Sequence, residues 1–174
     1  NVYMDCYIRQ TSTDNISTIT VPHLIGEDVQ IVVDGRERPI KEVPPTAIIN
    51  IDGKAQSVAV GINYTTRLRI PSIEMQIQDG TLQGRLLTMS RLSLNILNSF
   101  GGKIGRNFNH MDDISLPPLK LYSGDKVCIL PKFDGVYSTD ASVCILHEKP
   151  YPFNLLSVTR EIEIGGGFPN VTGL

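Results

Sequence analysis

Four Asp-Gly pairs, at 34–35, 52–53, 79–80 and 134–135, punctuate the chain. Asp-Gly between apolar runs is a strong short-range signal for a tight hairpin, because the turn needs residues that tolerate positive φ. The runs beside these pairs are short, β-branched and alternating. Val29-Gln30-Ile31-Val32-Val33 precedes Asp34-Gly35, and Ala47-Ile48-Ile49-Asn50-Ile51 precedes Asp52-Gly53. Ile19-Thr20-Val21 comes before both and stops at Pro22, and Ser57-Val58-Ala59-Val60-Gly61-Ile62 comes after them. Short strands at even spacing with such turns predict an all-β chain, a small barrel or sandwich.

The second half continues the pattern with longer strands. Thr65 to Glu74 alternates until Pro71 demotes its end to an edge or a bend. Leu82 to Leu97 is ambiguous. Leu86, Met89, Leu92 and Ile96 suit a helix, but Leu92, Leu94 and Ile96 alternate with Ser93 and Asn95, which have poor helix propensity. Strand is the reading adopted. Phe100 to Gly105 reads as a glycine-rich hairpin end or bulge, since it lacks the Lys-Ser/Thr ending of a phosphate loop. Asn107 to Pro118 is polar and proline-closed, which predicts a long loop and a candidate contact surface. Leu119 to Leu130 and Ser142 to Leu146 look like a strand pair around Asp134-Gly135, and Leu155 to Ile164 is the last strand. The expected fold is therefore all-β: a small barrel-like module over 1–64, then a twisted antiparallel sheet or sandwich with long hairpins over 65–174, with a tail from about 165.

A chain of 174 residues can build its own core without staples. The net charge of −2 argues against electrostatic capture of nucleic acid, which needs a basic face. No apolar stretch approaches the roughly 20 residues of a membrane helix. The chain begins at Asn1 and is read as a fragment or processed product. Cys6, Cys128 and Cys144 are too scattered for a disulfide framework, and the last two, set in apolar runs, read as buried thiols.

No constellation of catalytic residues emerges. His23, His110 and His147 lack the close second histidine of a zinc site. Asp112, Asp113, Asp125, Asp134 and Asp140 lack the spacing of a calcium loop. No Gly-x-Ser-x-Gly elbow is present, and Cys6 lacks a catalytic-thiol signature. The expectation is a non-enzymatic protein without catalytic, cofactor-binding or metal-binding residues and without a cofactor.

Several segments, taken in order, resemble one family. Val2-Tyr3-Met4-Asp5-Cys6 is similar to an apolar-apolar-x-Asp-Ser/Cys strand, and Val21-Pro22-His23-Leu24-Ile25-Gly26-Glu27-Asp28-Val29 to a His-Leu-x-Gly strand opening. Val58 to Leu68 resembles a Val-Gly-Leu-Pro-Tyr-Thr segment, with Asn63 where proline is common. Gly80-Thr81-Leu82-Gln83-Gly84-Arg85 resembles a Gly-Thr-x-Gln-Gly turn, and Leu86-Leu87-Thr88 departs from the basic run usual after it. Leu121-Tyr122-Ser123-Gly124-Asp125 and Pro150-Tyr151-Pro152-Phe153-Asn154-Leu155-Leu156 lead to an ending at Glu161 to Gly166 that is also similar. These segments resemble the C-terminal region of the tail nozzle (tail tubular protein B, or DNA stabilisation) proteins of short-tailed bacteriophages. The resemblance implies a structural virion protein made in the host cytoplasm. It implies a subunit that self-associates in its full-length form into a ring, commonly hexameric, contacts a tail adaptor ring and tail fibres or spikes, and lets DNA pass without gripping it. The alternative reading is a tail adhesin or fibre-attachment module that binds a host surface glycan. A polysaccharide hydrolase and a protein-binding β-module are further alternatives.

Overall fold

The computed structural model describes residues 2–78, 80–118, 120–128 and 137–165. Apart from one short 3-10 turn at Pro22–Leu24, the regular elements among them are strands, and all the named strand pairings are antiparallel. The chain forms two compact units. The first comprises residues 1–65 with 148–152, and the second residues 66–147 with 153–174.

Unit 1 contains β1 (Asp5–Thr11), β2 (Thr18–Thr20), β3 (Asp28–Val33), β4 (Arg36–Glu42), β5 (Ile48–Asn50) and β6 (Ser57–Ile62). One sheet has the order β1-β6-β3-β4, and β2 pairs with β5 in a separate ribbon. Strand β3 is buried at every position after Asp28, which explains why its apolar run is nearly continuous. Ile31 and Val33 face the main core with Val29, Val58, Val60, Ile19 and Ile49. Val32 and Ala59 pack with Met4 in a second cluster.

The Asp34-Gly35 turn joins β3 to β4, with φ of 47° and 78°. Two successive positive values match the primed hairpin turn that the sequence predicts. The Asp34 carboxylate also accepts the N–H groups of Gln56 and Ser57, at 3.0 and 2.8 Å, and so ties the turn to the start of β6. From outside, the returning residues 148–152 hold the same turn. Tyr151 Oη donates to the Gly35 carbonyl and accepts the Glu37 N–H, both at 3.0 Å, and Lys149 pairs with Glu37.

Unit 2 contains β7 (Thr66–Ile70), β8 (Gln76–Ile77), β9 (Gly80–Thr81), β10 (Leu87–Ser99), β11 (Lys103–Asn107), β12 (His110–Asp113), β13 (Tyr122–Cys128), β14 (Val143–His147) and β15 (Asn154–Ile164). Two sheets carry the unit, in the orders β13-β10-β15 and β12-β11-β14-β7, with β8 and β9 as a small hairpin. Leu92, Leu94 and Ile96 from β10 meet Ile104 from β11 and Val143 and Ile145 from β14 in one core. The two-residue period therefore wins over the helical one in β10. Burying roughly half of its side chains against a second sheet outweighs any local preference.

Three expectations need correction. Residues 107–118 are not wholly loop: β12 lies within them and forms a hairpin with β11. The strands at Leu119 to Leu130 and Ser142 to Leu146 are not partners. Strand β13 pairs with β10, whereas β14 lies between β11 and β7 in the other sheet. The Asp134-Gly135 turn supposed to join them lies outside the described residues, as do Asp79 and the glycines after Gly165. Finally, two strands escape the sequence pattern: β4, whose residues are almost all exposed, and most of β1.

Candidate functional site

Two features of unit 2 stand out. The first is the open sheet edge. Strand β15 lies at the end of its sheet with β10 as its only strand neighbour among the described residues. Eleven residues extend about 36 Å at strand rise. Between the pairs Asn95↔Ser157 and Ile96↔Leu155 the register slips, leaving Leu156 as the extra residue of a bulge. Leu156 is 61% exposed, more than any other large hydrophobic residue described. Strand β13, with Val127 half exposed, forms the other edge of this sheet among the described residues. Both edges are antiparallel to β10, so they run parallel to each other.

The second feature is a cleft of about 290 Å³ lined by Arg69, Arg106, Asn107, Phe108, Ser138, Asp140 and Cys144. Its position follows from strand register. Arg67 and Arg69 alternate on β7 and so share one sheet face with Cys144, which lies opposite Arg69 on β14. Gly105 of β11 lies opposite Cys144 and pairs with Met111 of β12. A Cβ at Gly105 would sit 2.0 Å from the His110 carbonyl oxygen, so only glycine lets β11 and β12 approach this closely. That approach places Arg106 and Phe108 at the hairpin end, beside the cleft.

Arg69 Nη2 donates to Asp140 Oδ2 at 2.9 Å, and Arg106 Nη2 donates to the Asp140 carbonyl at 3.3 Å. The other carboxylate oxygen of Asp140 accepts the Ser142 N–H at 2.9 Å. Ser138 Oγ accepts the Asp140 N–H at 3.1 Å. Partial burial pushes the Asp140 carboxyl up, but the hydrogen bonds from Ser142 and the charge and hydrogen bond of Arg69 outweigh it and hold the group below its usual range. Burial pushes the Cys144 thiol up, so it stays neutral, and its Sγ contacts the Arg106 carbonyl at 3.5 Å. Arg67 lies over the Phe108 ring, 5.6 Å from its centroid.

The three histidines each serve local structure. His23 Nε2 lies 2.6 Å from the Cys6 carbonyl, and His110 Nδ1 lies 3.1 Å from Asn107 Oδ1 in the hairpin turn. His147 is buried, 3.2 Å from the Phe100 carbonyl and stacked on Phe153. Cys128 and Cys144 are buried free thiols. Asp112 and Asp113 sit on β12, Asp125 on β13, and Asp140 in the cleft; Asp134 lies outside the described residues. No group of three or more metal-ligating side chains converges among the described residues, and no described helix is long and apolar enough to cross a membrane. The sequence alone does not reveal the cleft, because its residues come from four separate segments. Its one local trace is the Arg-x-Arg alternation at 67 and 69.

No protein-family model matches this chain, and no curated protein is significantly similar to it.

Proposed function

We propose that this chain is a structural, non-enzymatic module of the tail nozzle of a short-tailed phage, located in the virion after synthesis in the host cytoplasm. In its full-length form it self-associates into a ring, most simply a hexamer, and contacts the adaptor ring and the tail fibres or spikes while DNA passes through without being held. The observation that carries this reading is the pair of open parallel edges, β13 and β15, on one sheet. A long edge strand leaves a row of backbone groups that can pair with another chain. Two different edges of one sheet suit a head-to-tail contact, the type that closes into rings rather than two-fold dimers. The ordered segments that resemble the nozzle family support the same reading.

Leu156→Lys in the full-length protein tests it. The side chain is exposed, so the substitution leaves the fold intact while placing a charge on the edge. Sedimentation is expected to show smaller species for the variant; an unchanged assembly would exclude β15 as a ring contact. The adhesin reading draws on a different observation, the exposure of Tyr3, Tyr7 and Tyr64 in unit 1. It requires glycan binding that Tyr→Ala changes abolish.

A further inference from the structure

We infer that the arginine-lined cleft of unit 2 is a binding site for a phosphate group. Arg69 and Arg106 line the cleft, Arg67 stacks on its Phe108, and Asp140 is the one acidic residue among the described residues of the lining. Two guanidinium groups that both reach Asp140 repel one another, in a chain whose net charge is −2. An exposed ion pair repays little of that cost. Arg69 and Asp140 are such a pair, with side chains 60% and 55% exposed.

The geometry leaves donors to spare. A guanidinium carries five N–H donors in a planar fork. The bonds to Asp140 and Ser142 leave from one nitrogen of Arg69, and the bond to the Asp140 carbonyl from one nitrogen of Arg106. The Asp140 carboxylate is not bound as a fork, since its second oxygen belongs to the Ser142 N–H. Ser138 Oγ accepts from Asp140 and keeps its own proton to donate. Each arginine is thus held in place by a contact that leaves charge to be neutralised. A planar fork beside a second cation is the arrangement that recognises tetrahedral oxyanions. The cleft volume of about 290 Å³ equals the liquid volume of roughly ten waters, enough for a phosphate and its hydration. The neutral Cys144 thiol adds no negative charge to the lining.

A phosphate group reaches such a site either as free phosphate, which agrees with the proposed function, or as a phosphodiester of a nucleic-acid strand, which would contradict the passage of DNA without being held. The test titrates the chain, labelled at its arginine Nε positions, with inorganic phosphate in one arm and with a thymidine dodecanucleotide in the other, at constant chloride. The readouts are the Nε–H shifts of Arg69 and Arg106 and calorimetric affinity. Saturable shifts of both resonances are expected in at least one arm, and the arm identifies the source. Arg69→Gln and Arg106→Gln should each weaken binding about tenfold or more, the loss expected for a charge-assisted hydrogen bond. Asp140→Asn should tighten it by up to about fivefold by removing a competing carboxylate. Thermal unfolding of each variant confirms that the fold persists. No saturable binding in either arm would overturn the inference. So would binding that survives in both folded arginine variants, or weakening in folded Asp140→Asn.

Discussion

Gly105→Ala offers a sharp test of how unit 2 is built. No positive φ is involved, so the cost is steric alone. The new methyl would lie 2.0 Å from the His110 carbonyl oxygen, 3.0 Å from its carbon and 3.1 Å from Met111 Sδ. The first two atoms are backbone and cannot rotate away. Strand β12 must retreat by about 1 Å merely to remove the worst overlap, and that retreat breaks the pairing of Gly105 with Met111 and of Asn107 with His110. Overpacking of this kind costs about 1–3 kcal/mol, and each lost ladder bond adds about 1 kcal/mol. About 3–5 kcal/mol is therefore expected, or roughly 12 °C or more in the melting midpoint of a unit of this size. Differential scanning calorimetry should show the unit 2 transition moving down while that of unit 1 stays in place. The Arg106 and Phe108 resonances should shift with it. A midpoint within about 2 °C of the parent would refute the close approach of β11 and β12.

Gly35→Ala is the opposite case: nothing lies within 4 Å of the added methyl, but φ is +78°, so a loss of about 1 kcal/mol from unit 1 is expected by denaturant titration. Tyr151→Phe removes two hydrogen bonds from the same turn and should cost about 1–2 kcal/mol, whereas Lys149→Ala, which breaks only an exposed ion pair, should cost under about 1 kcal/mol. Leu94→Ala, at a fully buried core position, should destabilise unit 2 by about 2–5 kcal/mol. The carboxyl of Asp140 is held below its unfolded value, so its contribution is present above the ordinary carboxylate range and fades as pH falls through the folded pKa. Melting scans from pH 6 to 3 should therefore show a steeper loss for the parent than for Asp140→Asn, and equal slopes would contradict the assignment.

What the sequence reveals depends on where each strand lies. Strands β3, β6 and β14 are central, flanked on both sides within their sheets, and their apolar runs stand out for that reason. Strand β4 is an edge, exposed at nearly every position and interrupted by Pro39, so it carries no apolar rhythm although it pairs with β3 on both sides of a register shift at Pro39 and Ile40. The hairpin of β11 and β12 hides for a similar reason, since solvated residues such as Asn107 and His110 read as loop. Pairing is harder still. Cys128 and Cys144 sit in near-identical apolar runs, yet β13 joins β10 and β14 joins β11 and β7. Local pattern fixes the face that each strand buries, not the partner it finds. The cleft is the extreme case. Arg69, Arg106 and Asp140 come together only through the register of β7, β14 and β11, and no local signal ties them to one another.

Whether the full-length parent closes into a ring is read from its native mass, measured by light scattering after size exclusion beside that of this chain. A closed ring of about six subunits is expected for the parent, with this chain monomeric or weakly associating. A parent that remains monomeric at high concentration, or forms a trimer, would contradict it and favour the glycan-binding module.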